Sequence, residues 1–194
     1  MYARPADGSG PETPLTTGGA NDIPLSWSPD GRTLAFARLS QATGYDIWTL
    51  SLDGDHQARP FVQSPAQELA AQFSPDGRWI AYTSDESGGH LVYVTGYPTQ
   101  GRRWQISTEG GDFAQWNPKG GELFYWNGRQ MMVVAVTTGA NFSAGRPRLL
   151  YTGQLGLVSP DGQHFLSVLG GPTQQAREIN LMIDWFARGS GETP

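Results

Sequence analysis

The chain has 194 residues, 38% of them apolar, which is enough for one compact domain and short of two. Its 26 glycines and 14 prolines exclude a mainly helical protein, because glycine weakens a helix and proline breaks it. The net charge is −5, Lys119 is the only lysine and there is no cysteine, so no basic stripe for nucleic acid exists, nor any disulfide, thiolate metal site or cysteine nucleophile.

Glycine and proline cluster between β-rich runs, as a chain of many tight turns requires. Seven Trp, seven Tyr and eight Phe supply a large apolar payload for a packed core. No apolar run reaches membrane-spanning length, and the start of the chain lacks the apolar segment of a secretory signal.

In chain order, residues 1–11 carry no β pattern and are expected to be a disordered leader. Thr13 to Thr17, within 12–18, reads as a lone outer strand of a preceding or a closing blade. Four repeats follow, at 22–63, 68–107, 112–152 and a partial one at 155–187, with a frayed tail at 188–194. Each carries a turn. The turns are Pro29-Asp30-Gly31, Pro75-Asp76-Gly77, Pro118-Lys119-Gly120 and Pro160-Asp161-Gly162, with prolines 46, 43 and 42 residues apart. A period near 40 to 45 residues is that of four-stranded propeller blades. Proline presets φ at the second turn position, aspartate bonds nearby backbone and glycine accepts positive φ, so each turn joins a blade's first and second strands.

The register persists beyond the turn. Leu34, Ile80, Leu123 and Phe165 each stand five residues after the turn proline, opening a second strand that is apolar on both faces. Third strands are predicted at Asp46 to Leu50, Leu91 to Val94 and Met131 to Val134, and fourth strands at Arg59 to Val62, Arg103 to Ile106 and Arg148 to Tyr151. In the last repeat the run Glu178 to Phe186 fits either period, and the parallel with the other repeats makes it a third strand.

The fold class is therefore all-β, a β-propeller of four-stranded antiparallel blades with about four blades present. Two architectures fit: part of a six- to eight-bladed ring, or a small four-bladed ring closed by residues 13–17. The first is favoured, and it would leave blade faces open to self-association.

These turns resemble the WD40-like repeats of the TolB-type propeller superfamily. The runs Tyr45 to Gly54, Phe73 to Glu86, Trp104 to Thr108, Glu122 to Tyr125 and Ile179 to Phe186 are similar to C-terminal propellers of bacterial serine/threonine protein kinases. The resemblance implies an extracytoplasmic, periplasmic location and, in a longer relative, an upstream kinase domain. Related propellers also cap the peptidase domain of prolyl oligopeptidases. The blade type is specific; the function is not, because one fold hosts many functions.

The chemistry to be expected is binding. No Gly-x-Ser-x-Gly elbow, kinase signature or phosphate loop occurs. His56, His90 and His164 lie in or beside turns, where solvated histidines are the rule. Asp53-Gly54-Asp55 opens like a calcium loop, but Ser64 stands where the closing glutamate belongs, so it reads as a turn. No cofactor, metal or catalytic residue is expected.

Asp22, Glu68 and Asp112 precede their turn prolines by seven, seven and six residues, which puts an acid at the start of each innermost strand. The favoured reading is that they satisfy loop backbone amides; the alternative is a partial carboxylate ring at one channel mouth for a basic peptide or a cation, to which the fourth repeat adds no equivalent acid. Trp48 and Trp104 are expected in blade-to-blade packing, with Trp126 the exposed tryptophan beside an Asn127-Gly128 turn. The expected partner is a protein or peptide, without nucleic acid and without membrane insertion.

Overall fold

The computed structural model describes residues 1–16, 21–53, 56–168 and 179–181. Its described residues form no helix, and none of them crosses a membrane as one. Two short strands, β1 (Tyr2–Ala3) and β2 (Thr13–Pro14), pair with each other ahead of the repeats.

The first blade is β3 (Asp22–Trp27), β4 (Thr33–Ser40), β5 (Gly44–Ser51) and β6 (Ala58–Val62), antiparallel and in that order. The second is β7 (Glu68–Phe73), β8 (Trp79–Ser84), β9 (Leu91–Gly96) and β10 (Arg103–Gln105). In the third, β11 (Asp112–Trp116), β12 (Glu122–Asn127) and β13 (Gln130–Thr137) are followed by β14 (Ser143–Ala144) and β15 (Arg148–Thr152), both paired with β13. The last comprises β16 (Gly156–Val158), β17 (Phe165–Val168) and β18 (Ile179–Leu181). The chain is thus a partial propeller of antiparallel sheets. Only the start of the Glu178 to Phe186 run is described, and there Ile179–Leu181 pairs with β17 as a third strand. Residues 182–186 and the tail 188–194 lie outside the described residues.

The turns hold because each is internally bonded. In the first, Ser28 Oγ donates to Asp30 Oδ1 at 2.6 Å, and the backbone N–H groups of Arg32 and Thr33 donate to Asp30 Oδ1 and Ser28 Oγ at 3.0 and 2.9 Å. Ser74 with Asp76, and Ser159 with Asp161, repeat the pattern. The glycines Gly31, Gly77 and Gly162 adopt φ of 71°, 70° and 74°, the left-handed region these turns require. Asn117 replaces the serine in the third turn and reaches across to the fourth, donating from Nδ2 to the Gly162 carbonyl at 3.4 Å.

Blades are held to one another by their apolar faces. Ala35, Ile47, Ile80 and Tyr82 fill the first joint, and Ala81, Val92, Ala114 and Leu123 the second. Phe124, Trp126, Met131 and Phe165 fill the third. Burying one of the large apolar side chains contributes roughly 1.5–3 kcal/mol, so the three apolar joints dominate the stability.

Three expectations need correction. The leader 1–11 is not wholly disordered: Tyr2–Ala3 forms a strand, because Met1 and Leu15 find the apolar outer face of the first blade at Leu34, Phe36 and Leu50. Correspondingly, Thr13–Pro14 takes β1 as its partner. Trp126 is not the exposed tryptophan; it is 4% exposed in the third joint, and Trp27 is 55% exposed instead. Asn127 pairs with Gln130, so the hairpin loop is Gly128-Arg129, one residue later than expected.

Candidate functional site

The first strand of each blade lies at the inner edge of its sheet, and β3, β7 and β11 run beside one another. Side chains stitch these edges together. Ser26 Oγ accepts the Phe73 N–H at 3.2 Å, and Trp116 Nε1 donates to the Gln72 carbonyl at 3.0 Å. Gln115 spans to the last blade, donating to the Gly156 carbonyl at 2.8 Å and accepting the Val158 N–H at 3.1 Å.

Together the inner strands enclose a cavity of about 470 Å³. Leu25, Leu69, Phe113, Leu155 and Leu157 give it an apolar wall drawn from all four blades, and Asp112 and His90 stand at its edge. The wall owes its shape to a repeated irregularity. Pairing with the second strand shifts register between Pro24 and Ser26, between Leu69 and Gln72, and between Asp112 and Gln115. At the second and third of these bulges Ala70 and Phe113 hold φ of 52° and 49°, a conformation that costs a residue with a side chain about 1 kcal/mol or more. The bulge leaves Phe113 exposed on the cavity wall.

The three acids that open the inner strands meet different fates. Asp22 is bound by Arg38 through two hydrogen bonds of 2.8 and 2.9 Å. Burial works to raise its pKa, but the Arg38 hydrogen bond and charge hold the carboxyl below its ordinary value. Glu68 is 1% exposed, with Ser64 donating to Oε1. Burial pushes its pKa up, against the Ser64 hydrogen bond, and the negative charge of Asp46 adds to the rise. A carboxyl so buried offers nothing at the mouth of the cavity. Only Asp112 lines it, accepting from Thr83 Oγ1 at 2.9 Å and meeting His90 Nδ1 at 3.0 Å. Among the described residues no group of three or more His, Asp or Glu side chains is placed to hold a metal ion.

Ser159, Asp161 and His164 lie together in the last turn, yet the serine hydroxyl donates to the aspartate while the His164 ring contacts the same carboxylate at 3.2 Å. A nucleophilic serine needs its hydroxyl on the imidazole, so this cluster is turn architecture. Gly54 and Asp55 of the calcium-like sequence lie outside the described residues; Asp53 pairs with Arg32 at 3.3 Å on the surface. The tryptophans divide as follows. Trp104 packs edge-on to Trp79 at 5.4 Å and to Phe142 at 5.1 Å, whereas Trp48 lies on the outer face of the first blade.

Sequence reasoning missed the apolar wall. Its one legible trace is the residue five before the turn proline in the last three repeats, Ala70, Phe113 and Leu155, all of which line it.

Fold and inner face together define a β-propeller module whose blades carry a proline-glycine turn, Ser-Pro-Asp-Gly in three of the four repeats. The chain belongs to the TolB beta propeller domain family, whose model matches residues 13–175. No curated protein sequence matches it. Among solved structures it is similar to TolB from Acinetobacter baumannii, with a TM-score of 0.65 and 19% identity over 92% of this chain and 44% of that one. It is also similar to a putative TolB from Agrobacterium tumefaciens, with a TM-score of 0.60 and 19% identity over 76% of this chain and 56% of that one. An acylaminoacyl peptidase from Pyrococcus horikoshii shares the fold at a TM-score of 0.56 and 14% identity, over 94% of this chain and 33% of that one. The chain thus spans about half the length of the two TolB chains.

Proposed function

We propose that this chain is a non-catalytic binding module, part of a larger six- to eight-bladed ring, that engages a protein or peptide at its inner face. The observation that carries the reading is the apolar wall contributed by all four inner strands, with Phe113 displayed on it by a left-handed backbone. An exposed aromatic in a concave apolar surface is the usual anchor of a peptide interface. Asp112, held by Thr83 and His90 at the edge, is the polar contact that would orient a basic or amide group of the partner. Of the three acids named from the sequence, it is the one placed for that role.

The test is selection of peptides from a random phage-displayed library against the full chain, followed by binding titrations with Phe113→Ser and Asp112→Asn. Support is an enriched apolar peptide whose affinity falls at least about tenfold with Phe113→Ser, the scale of an interface anchor. Peptides that bind both variants as well as the parent chain would overturn the assignment of the inner face.

A further inference from the structure

We propose that this chain pairs head to tail with a second copy of itself, the last blade of each docking on the first blade of the other, to close an eight-bladed ring. The proposal rests on the reading of these blades as part of a larger ring, and not on the peptide site. Every joint within the chain uses the same two positions. The residue three before one turn proline meets the residue two before the next blade's turn proline. Ser26 thus accepts from the Phe73 N–H, the Gln72 carbonyl accepts from Trp116 Nε1, and Gln115 accepts from the Val158 N–H.

Both ends of this series are unmated. Trp27 and Trp116 hold the same position in their blades, yet Trp116 is 5% exposed in its joint and Trp27 is 55% exposed. At the other end Leu157, which stands where Ser26, Gln72 and Gln115 stand, is 66% exposed. Strand register fixes the faces. Trp27 lies opposite Leu34 just as Phe73 lies opposite Ile80, and the Phe73–Ile80 face is the one that receives the preceding blade. Leu157 lies opposite Leu166, also exposed, just as Gln115 lies opposite Phe124 on the face that receives the following blade. The two open ends also match in chemistry. The position that is polar in the three internal joints is leucine in the last blade, and an exposed tryptophan is what it would meet. Met1 and Leu15 pack over Leu34 and Phe36 on the first blade but leave Trp27 open.

A contact of Leu157 on Trp27 repeats the sense of the internal joints, so a second copy continues the ring instead of stacking on it. Such a contact joins two different surfaces, and it ends in a closed ring only if the rotation per blade permits. Four blades from each copy make eight, within the range that propellers close at. Closure forms two identical joints, the second within an already tethered pair, which strengthens the assembly without any further kind of contact.

The experiment is sedentation-free mass measurement by light scattering of the full chain, of Trp27→Asp, of Leu157→Lys and of the two variants mixed. The expected result is a parent mass that rises with concentration to that of two chains and stops there. Each variant alone should weaken pairing at least about tenfold, the scale of an interface anchor. The mixture should recover it, because one joint is then intact and the other sets lysine against aspartate. Because the chain has no cysteine, mixed Trp27→Cys and Leu157→Cys copies give a second readout, a disulfide linking two chains under mild oxidation. A parent that stays single, a mass that climbs past two chains, pairing indifferent to Trp27→Asp, or a mixture that stays apart overturns the proposal. Peptide titration of the single-chain variants reads the inner face separately, so lost pairing with peptide binding intact overturns ring closure and spares the binding site.

Discussion

Gln115 grips the last blade through both ends of its side-chain amide, donating to Gly156 at 2.8 Å and accepting from Val158 at 3.1 Å. The last blade's inner strand is only three residues long, so these two bonds secure much of its backbone. Gln115→Leu keeps the volume and orphans one buried carbonyl and one amide. The expected cost is about 2 kcal/mol in urea unfolding, with faster hydrogen exchange at the Val158 amide. Unchanged exchange there would show that β16 is held by its pairing with β17 alone.

Asn117 and Gly162 make the corresponding contact between turns. A Cβ on Gly162 would lie 2.1 Å from Asn117 Oδ1, and φ is already 74°. Gly162→Ala should therefore cost roughly 2 kcal/mol, against about 1 kcal/mol for Gly31→Ala, where an added Cβ meets nothing. Paired thermal melts of the two variants measure the difference, and equal losses would assign the whole effect to backbone strain.

Asp161 is the acid of the last turn, and the Ser159 hydroxyl, followed by the Gln163 amide, lowers its pKa to about 2. A depressed carboxyl contributes stability above its ordinary value of 3.8 and loses it as pH falls through about 2. Carboxyl-carbon titration should find this low midpoint, and Ser159→Ala should move it back toward 3.8. A midpoint insensitive to the serine would mean that the hydroxyl does not hold the turn.

Leu157 and Leu166 face each other across the last blade and are both exposed, on the side turned away from the third joint. This chain alone should self-associate through that surface. Light scattering on a sizing column is expected to show a mass that grows with concentration, and Leu166→Arg should restore the monomer. A monomer at every concentration would remove open blade faces as a source of assembly.

The blades were legible in the sequence because their determinants are local. A Ser-Pro-Asp-Gly turn closes on its own hydroxyl, carboxylate and amides within five residues, so its repetition reports strand order without any knowledge of neighbours. The apolar wall was not legible. It depends on bulges at Ala70 and Phe113, and a single strand's letters do not disclose a register shift against its partner.

The acids show the same divide. Asp22, Glu68 and Asp112 hold near-equivalent places before their turn prolines, and sequence position alone makes them one ring. Packing separates them: Arg38 neutralises the first, the blade interior buries the second, and only the third lines the cavity. Trp126 and Trp27 differ in exposure for a related reason, since one strand face meets a following blade and the other does not. The sequence by itself determined the repeat, the turns and the four-stranded blade, all set by bonds among residues close along the chain. The tertiary structure alone decided which carboxylates are buried or paired, which aromatics reach solvent and where the cavity lies, because burial is set by residues from other blades.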